Sequence, residues 1–325
     1  GQENYDGDTQ GDLCDLDDDN DGVDDTEDEA PFNEFRCRDL DGDQCDDCSS
    51  GSDNPAIDGP DSDLDGICDL GDNCETVENP GQMPGASWFP DASLNFAENL
   101  LRYRDDREAL VFKSETGISS TLTYRQLYRQ VAGVASALRE LGVEPADRVA
   151  AYMPNLPETI IAMLATTSIG AIWSSCSPDF GISGVVDRLG QIEPKVLFCA
   201  AAYSYNGKQH DCLSKVGEIQ KRIDSIQKVI VVPFVDPEPD LDGLENAELL
   251  MSFSQQDADE IEFTRLPFNH PVYILYSSGT TGVPKCITHG AGGTLLQHLK
   301  ELMLHTDLKR SDRFCYFTTC GWMMW

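Results

Sequence analysis

The chain has 325 residues with 58 acidic and 23 basic side chains, a formal charge of −35. It offers no basic patch large enough for a row of phosphates and no run near the roughly 20 apolar residues of a membrane span, which argues against nucleic-acid binding and against a membrane span. The charge is local, since residues 1–82 hold a net −27 and residues 83–325 only −8. We therefore predict two domains, 1–82 and 83–325. A missing initiator Met and an aromatic run ending at Trp325 also lead us to expect a fragment.

The acidic residues 1–82 hold too few apolar side chains to bury a core that offsets chain entropy. Their acids nevertheless recur at positions 1, 3, 5, 9 and 12 of four loops. Carboxylates at these offsets converge when a loop curls, and such dense oxygen ligands suit Ca²⁺ better than Mg²⁺. The candidate metal ligands are Asn4, Asp6, Asp8, Asp12 and Asp15; Asp17, Asp19, Asp21, Asp25 and Asp28; Asp39, Asp41, Asp43 and Asp47; and Asp61, Asp63, Asp65, Asp69 and Asp72.

The loops depart from known calcium-binding patterns in two ways. The third loop has Ser50 at position 12 instead of an acid. The EF-hand shares the offsets, but it needs a Glu at position 12 and apolar helices on both sides, and neither is present. The alternative to a metal site is a solvated acidic tail whose spacing arose by chance.

The fourth loop carries a family resemblance. Asp61-Ser-Asp-Leu-Asp-Gly-Ile-Cys-Asp-Leu-Gly-Asp-Asn-Cys74, followed by Asn79-Pro80-Gly81-Gln82, resembles the thrombospondin type 3 repeat. The resemblance implies an extended chain with little regular structure that wraps Ca²⁺, is linked by disulfides, and is extracellular or at the cell surface. The stretch from Arg36 to Pro60 departs from the repeat pattern.

Six cysteines lie in this segment: Cys14, Cys37, Cys45, Cys48, Cys68 and Cys74. An even number in a segment without a large core indicates disulfides and an oxidising compartment, and the sequence leaves all 15 pairings open. The alternative is that Cys45 and Cys48 form half of a zinc site.

From Trp88 onward the sequence is typical of a globular α/β domain. Thr123 and Gln126 form a capping box, and the apolar stripe that follows predicts a helix ending at Gly142. Alternating strands and helices then predict a mostly parallel sheet covered by helices. The predicted strands are 148–153, 171–175, 195–200, 228–234 and 272–276, and the predicted helices are 157–169, 182–192 and 211–226. Residues 236–259 read as a polar connection.

The run Tyr276-Ser-Ser-Gly-Thr-Thr-Gly-Val-Pro-Lys285 follows an apolar strand. Small residues let backbone N–H groups approach an anion, hydroxyls add donors, and Lys supplies the opposite charge, so this is a phosphate-binding loop by its chemistry. It does not match the Gly-x4-Gly-Lys-Ser/Thr loop, because Val283 and Pro284 precede the Lys and Cys286 follows it.

These residues resemble the phosphate loop of the adenylate-forming acyl-CoA synthetases. Further strings resemble the acetoacetyl-CoA synthetase subfamily: Leu94-Asn-Phe-Ala-Glu-Asn-Leu-Leu101, Tyr205-Asn-Gly-Lys208, His289-Gly-Ala-Gly-Gly-Thr-Leu-Leu-Gln-His-Leu-Lys300 and Thr318-Thr-Cys-Gly-Trp-Met-Met-Trp325. The resemblance implies that acetoacetate, ATP with Mg²⁺, and CoA give acetoacetyl-CoA, AMP and diphosphate through an acyl-adenylate. It places the family's catalytic Lys beyond Trp325, so we expect that this chain alone does not complete the reaction.

The resemblance also implies roles for individual residues. The ATP β- and γ-phosphates are expected at Ser277, Ser278, Gly279, Thr280, Thr281, Gly282 and Lys285. Gly292 and Gly293 either approach the substrate or serve helix packing, Trp322 lines the acyl pocket or is a core aromatic, and Tyr205–Lys208 faces CoA. The cysteines at positions 176, 199, 212, 286, 315 and 320 show no metal spacing and are expected to be reduced core thiols.

The two segments point to different compartments, since ATP and CoA are cytosolic substrates whereas disulfide-linked Ca²⁺ loops belong outside the cell. One interpretation is a chimeric joint near 82–88. The other is an extracellular calcium-binding adhesion protein with an inert ligase-like part. A ligase for another short-chain acid is a further alternative, and the oligomeric state stays open.

Overall fold

The computed structural model describes residues 4–62, 64, 66–70, 88–277 and 282–322. The chain divides into two compact units, Gly1–Trp88 and Phe89–Trp325. The boundary predicted between residues 82 and 83 lies outside the described residues, so the predicted domain limits stay a prediction.

The described residues of the first unit form turns, bends and irregular backbone, without helix or strand, in agreement with the little regular structure that the resemblance implies. Its one apolar cluster among the described residues consists of Val23, Cys37 and Cys48. Disulfides join Cys37 to Cys48 and Cys45 to Cys68. Because Cys45 and Cys48 belong to different disulfides, the zinc alternative is wrong for this structure. Cys14 is a free, exposed thiol, and Cys74 lies outside the described residues.

The second unit alternates strands with helices. The described strands are β1 (Ser93–Leu94), β2 (Glu108–Lys113), β3 (Ser119–Thr123), β4 (Arg148–Tyr152), β5 (Ile172–Cys176), β6 (Val196–Ala200), β7 (Ala202–Tyr205), β8 (Lys208–Asp211), β9 (Lys228–Val232), β10 (Ala247–Leu249), β11 (Leu266–Pro267), β12 (Pro271–Ser277) and β13 (Lys285–Gly290). The described α-helices are α1 (Phe96–Leu100), α2 (Tyr124–Glu140), α3 (Pro157–Ser168), α4 (Ile182–Leu189), α5 (Leu213–Gln220), α6 (Leu250–Phe253) and α7 (Ala291–Leu299). A π-helical turn, Lys300–His305, continues α7.

Seven strands form the central sheet in the order β10-β9-β6-β4-β5-β12-β13. The first six are parallel, and β13 pairs antiparallel with β12 at the edge. Smaller antiparallel pairs join β1 to β11, β2 to β3, and β7 to β8. The predicted α/β class with a mostly parallel sheet is confirmed.

The central strand β4 is buried on both faces. Because successive side chains of a strand point to opposite faces, Val149 and Ala151 join one core with α2 and α3, whereas Ala150 and Tyr152 join the other with α4 and α5. Residues 149–152 of β4 therefore carry apolar side chains at consecutive positions, as parallel strands covered on both sides require.

Helix α2 begins at the predicted capping box. The Gln126 N–H donates to Thr123 Oγ1 over 3.2 Å, and the Thr123 N–H donates to Gln126 Oε1 over 2.9 Å. Gly142 ends this segment with φ +81°, a conformation that favours glycine. The predicted start and end of the helix are confirmed.

The helix predicted at 211–226 is too long, because Asp211 is the last residue of β8 and the helix spans only Leu213–Gln220. The Asp211 carboxylate instead accepts the N–H groups of Leu213 and Ser214 at 3.2 and 3.1 Å, which starts the helix. The connection predicted at 236–259 also contains β10 and α6. A short apolar stretch is enough for β10, because β9 supplies its backbone partner.

The thiols of the second unit fall into two groups. Cys176, Cys199, Cys212 and Cys320 are free and buried, as predicted. Cys286 and Cys315 are exposed, so the prediction of core thiols is wrong for these two. They lie on the edge strand β13 and in the loop after the π-helical turn.

We expect native thiol labelling to separate these groups. Burial raises the pKa of Cys176 and of Cys212 to about 12, so at pH 8 neither forms the reactive thiolate. Iodoacetamide should modify Cys286 and Cys315 in the folded chain and the two buried thiols only after denaturation. Peptide mass spectrometry measures this, and rapid native labelling of Cys212 would contradict the burial.

Two adjacent glycines in α7 occupy different surroundings. A Cβ on Gly292 would overlap the ring of Phe268, whereas one on Gly293 would meet nothing within 4 Å. The Gly292 N–H also donates to the Phe268 carbonyl over 2.9 Å. Gly292 is therefore required for packing at the start of α7.

Gly292→Ala should lower the free energy of unfolding by about 1–3 kcal/mol through overpacking. Gly293→Ala is the matched control, and we expect it to be neutral or to stabilise by up to ~1 kcal/mol because Ala favours the helix. Urea unfolding of both variants measures the difference. Equal stabilities would contradict the packing role.

Candidate functional site

The carboxyl ends of β4, β5 and β12 meet at one edge of the sheet because the three strands are parallel. From β4 the chain enters α3 on one face, and from β5 it enters α4 on the opposite face. Such a division opens a crevice where α/β proteins bind ligands. This edge is the candidate active site.

The Thr318–Gly321 string lies in this crevice. Asn155, just after β4, donates from Nδ2 to the Thr318 carbonyl over 2.6 Å. The Cys320 thiol donates to the Met153 carbonyl over 2.7 Å, and Ser175 Oγ donates to the Cys320 carbonyl. The structure thus brings a string that is distant in sequence to the ends of β4 and β5.

The phosphate loop connects β12 to β13 in a hairpin. Ser277 and Lys285 are paired across its base, and Gly282 has φ +93°, in the region that favours glycine. The Lys285 side chain is exposed, which leaves its ammonium accessible to an anion. Ser278, Gly279, Thr280 and Thr281 lie outside the described residues.

Side-chain hydrogen bonds tie the end of β12 to β5. Ser174 Oγ lies 2.8 Å from the Ile274 carbonyl and 3.0 Å from Tyr276 Oη. Burial raises the pKa of Tyr276 far above its ordinary value, so this phenol stays neutral. The base of the phosphate loop is thereby held next to the crevice.

The other predicted site residues are scattered. Trp322 is 62% exposed, so the core-aromatic alternative is wrong, while its place in the acyl pocket stays a prediction. Gly293 is exposed on α7. The Tyr205–Lys208 string is the turn of the β7–β8 hairpin, and the N–H groups of Asn206 and Gly207 each donate to the Glu115 carboxylate over 3.0 Å.

The sequence reasoning missed two features of this unit. The Asn206-Gly207 pair is a strong hairpin signal, and both residues have positive φ, at +52° and +72°. The polar residues just after β4 and β5, Asn155 and Ser177, also went unnoticed, although polar residues at the carboxyl ends of buried strands are a recognisable signal.

The acidic loops of the first unit share one backbone pattern. In each loop the carboxylate at position 9 accepts the N–H at position 2, over 2.9 Å for Tyr5 to Asp12, 2.9 Å for Asp18 to Asp25, 2.9 Å for Leu40 to Asp47 and 2.7 Å for Ser62 to Asp69. In the first three loops the N–H at position 5 donates to the acid at position 3, over 3.1, 3.2 and 3.3 Å. The sequence repeat is therefore also a structural repeat.

Predicted ligands of the first three loops converge. Within each of several groups, carboxylate oxygens all lie within 4.8 Å of one another: Asp6, Asp8 and Asp15; Asp17, Asp19 and Asp21; Asp39, Asp41 and Asp43; and Asp41, Asp47 and Asp58. Asp58 was not predicted from the sequence. Asp63, Asp65 and Asp72 of the fourth loop lie outside the described residues.

Buried carboxylate oxygens in these loops have no hydrogen-bond partner among the described residues. They include Asp17 Oδ1, Asp21 Oδ2, Asp28 Oδ2, Asp47 Oδ1 and Asp58 Oδ2. Burial raises the pKa of Asp21 to about 6 and also raises the pKa of Asp47 and Asp58. Since a buried anion without a partner is costly, the donor set fits a hard divalent cation such as Ca²⁺.

None of the helices in the described ranges is long and apolar enough to cross a membrane.

Known proteins match most of the chain. Residues 96–325 match the family described as AMP-binding enzyme. An acetoacetyl-coenzyme A synthetase of Rhizobium meliloti is 49% identical over 267 residues, covering 78% of this chain and 40% of the relative. An acetoacetyl-CoA synthetase of Danio rerio is 49% identical over 247 residues, covering 73% and 37%. A malonamoyl-CoA synthetase of Penicillium aethiopicum is 44% identical over 265 residues, covering 77% and 37%.

A solved structure agrees with these relatives. The acetoacetyl-CoA synthetase from Streptomyces lividans matches with a TM-score of 0.71 and 44% identity, over 75% of this chain and 37% of that chain. The chain thus spans about 40% of the length of the relatives it matches. The family match over residues 96–325 and this extent of identity show that the chain belongs to the AMP-binding enzyme family.

Proposed function

We propose that the second unit contributes the ATP-binding part of an AMP-forming acid–CoA ligase that acts on acetoacetate. The observation that carries the proposal is the hairpin that places Ser277 opposite Lys285 at the end of β12. The 49% identity to the acetoacetyl-coenzyme A synthetase of Rhizobium meliloti supports the choice of acid. Because its substrates ATP and CoA are cytosolic, we place this activity in the cytoplasm.

The proposed reaction has two steps. A carboxylate oxygen of acetoacetate attacks the α-phosphorus of ATP, forming the acyl-adenylate and releasing diphosphate. The CoA thiol, losing its proton, then attacks the acyl carbon, and AMP leaves. Mg²⁺ accompanies ATP and neutralises charge on its phosphate oxygens.

The residues of the phosphate loop act by binding and orientation. Lys285 places a positive charge beside the β- and γ-phosphates, where the leaving diphosphate gains charge. Ser277 and the residues 278–281 supply hydroxyl and backbone donors, and Gly282 provides the turn that lets the backbone approach. In the crevice the Thr318–Trp322 string faces the reacting end of the nucleotide, and Trp322 lines the acyl group.

A second candidate is a ligase for a related short acid. The malonamoyl-CoA synthetase of Penicillium aethiopicum covers nearly the same stretch at 44% identity. The carbon skeletons of acetoacetate and malonamate both carry a carbonyl group two carbons from the carboxylate. Titration calorimetry of the chain with acetoacetate and with malonamate, each in the presence of Mg-ATP, would separate the candidates, because the preferred acid should bind more tightly.

Lys285→Ala should weaken ATP binding by about 10- to 100-fold, since a hydrogen bond to a charged group contributes roughly 1.5–3 kcal/mol. Titration calorimetry of the chain with Mg-ATP measures the affinity. Lys113→Ala is the matched control, because Lys113 is exposed on β2, which pairs with β3 outside the central sheet. Equal affinities of the two variants would remove Lys285 from the site.

We further propose that the first unit is a thrombospondin type 3-like segment that binds Ca²⁺. The proposal is supported by the four-fold hydrogen-bond pattern, the converging carboxylates and the buried oxygens that lack partners. Its two disulfides suit an oxidising compartment, extracellular or at the cell surface. The two units therefore favour different compartments. A chimeric joint would account for this difference, and so would an adhesion protein with an inert ligase-like part.

Adding Ca²⁺ to the chain in EGTA-treated buffer should change its circular dichroism and raise its unfolding temperature. At a free concentration 100 times the dissociation constant, each site stabilises the folded unit by about 2.7 kcal/mol. Mg²⁺ is the control and should act weakly, because it prefers a strict octahedron with several waters. An unchanged spectrum throughout the Ca²⁺ titration would reject calcium binding.

A further inference from the structure

The third acidic loop has an incomplete set of repeat ligands. The first two loops end on an acid at position 12, Asp15 and Asp28, whereas the third has Ser50 there. By the repeat pattern this loop should bind a cation poorly.

The carboxylate of Asp58, which lies outside the loop, is close to Asp47, the buried acid of the loop. Asp58, eight residues after Ser50, contributes an oxygen within 4.8 Å of oxygens of Asp41 and Asp47. Asp58 is only 7% exposed and Asp47 is fully buried. Asp58 Oδ2 and Asp47 Oδ1 are both buried without a hydrogen-bond partner among the described residues. Two of the three grouped carboxylates thus each carry a buried oxygen without a hydrogen-bond partner.

The separation of these oxygens fits a shared cation. Oxygens that bind one Ca²⁺ lie about 2.3–2.6 Å from it and therefore cannot be more than roughly 5 Å apart. The Asp41, Asp47 and Asp58 oxygens meet this limit. Asp47 uses its other oxygen, Oδ2, to accept the Leu40 N–H over 2.9 Å, which fixes the orientation of the carboxylate.

Local contacts hold Asp58 in this position. Ser49 Oγ donates to the Asp58 carbonyl. The next residue, Gly59, lies against the Cys45–Cys68 disulfide so closely that a Cβ would overlap both sulfurs. The disulfide and the glycine together bring the chain back to the third loop.

The two arginines of the segment form ion pairs with acids other than Asp41, Asp47 and Asp58. Arg36 pairs with Glu29 at 3.4 Å, and Arg38 pairs with Asp53 at 2.6 Å and with Glu27 at 3.2 Å. Arg38 also lies close enough to Asp47 for their opposite charges to attract, but among the described residues no Lys or Arg forms an ion pair with Asp41, Asp47 or Asp58.

We propose that Asp58 joins Asp41 and Asp47 as a ligand of a divalent cation in the third loop, replacing the acid that the repeat lacks at position 12. The chemistry of the donors, the exposed carboxylate of Asp41 and the buried carboxylates of Asp47 and Asp58, favours Ca²⁺. The proposal rests on calcium binding by the first unit.

The test compares Asp58→Asn with Asp24→Asn in the full chain. Asp24 is exposed, lies in no predicted site, and undergoes the same chemical change. Flow dialysis with radioactive Ca²⁺ counts the ions bound and their affinities. We expect Asp58→Asn to lose one bound ion, or to weaken one site by tenfold or more, while Asp24→Asn matches the unaltered chain. Adding Ser50→Asp to Asp58→Asn should restore the lost site.

The outcomes separate this proposal from the calcium proposal on which it rests. If the unaltered chain binds Ca²⁺ and Asp58→Asn binds it equally well, the role of Asp58 is overturned and calcium binding stands. If the unaltered chain binds no Ca²⁺, both fail.

A crystal structure of the unaltered, calcium-loaded chain covers the case in which Asp58→Asn misfolds. An Asp58 oxygen about 2.3–2.6 Å from a cation supports the proposal. An Asp58 carboxylate that contacts no cation overturns it.

Discussion

The parallel pairing of β4 with β5 on one side and β6 on the other is the constraint on which the second unit depends. It buries both faces of β4 and requires helices on each side of the sheet. Because the chain leaves β4 and β5 toward opposite faces, a crevice forms at their carboxyl ends. The Thr318–Gly321 string and the base of the phosphate loop lie at this same edge, so the sheet topology determines where the candidate site lies.

The first unit follows a different physical principle. With one small apolar cluster among its described residues, it depends on disulfides, backbone-to-carboxylate hydrogen bonds and the proposed cations. Each carboxylate at position 9 stabilises its own loop by accepting a backbone N–H. The acids at positions 1, 3 and 5 repel one another, and a bound cation would neutralise this repulsion. The formal charge of −35 thus combines an acidic segment, whose effective charge would vary with the proposed Ca²⁺ binding, and an α/β unit close to ordinary composition.

Much of the fold could be predicted from local patterns. The capping box at Thr123, the strand at Arg148 and the alternation of strands and helices are short-range signals, and the structure confirms them. The misses have physical causes. The α5 helix is shorter than predicted because Asp211 first pairs in a hairpin, and β10 exists because β9 offers it a parallel partner. The β9 partner lies outside the window that a periodicity argument considers, whereas the β7–β8 hairpin has a local turn signal, Asn206-Gly207, that periodicity does not detect.

The candidate site likewise has a part that local sequence predicts and a part that depends on the tertiary structure. The Ser277–Lys285 loop and the spaced aspartates are each contiguous in sequence, so the sequence by itself determined which donor groups these loops contain and led to the predictions of phosphate and calcium binding. Only the tertiary structure brought Asn155, Ser175 and Cys320 together, since parallel strands join residues far apart in sequence. It also placed Asp58 beside Asp47, because a disulfide and a glycine turn the chain back on the loop. Local sequence specifies which atoms are present, and long-range packing decides which of them meet.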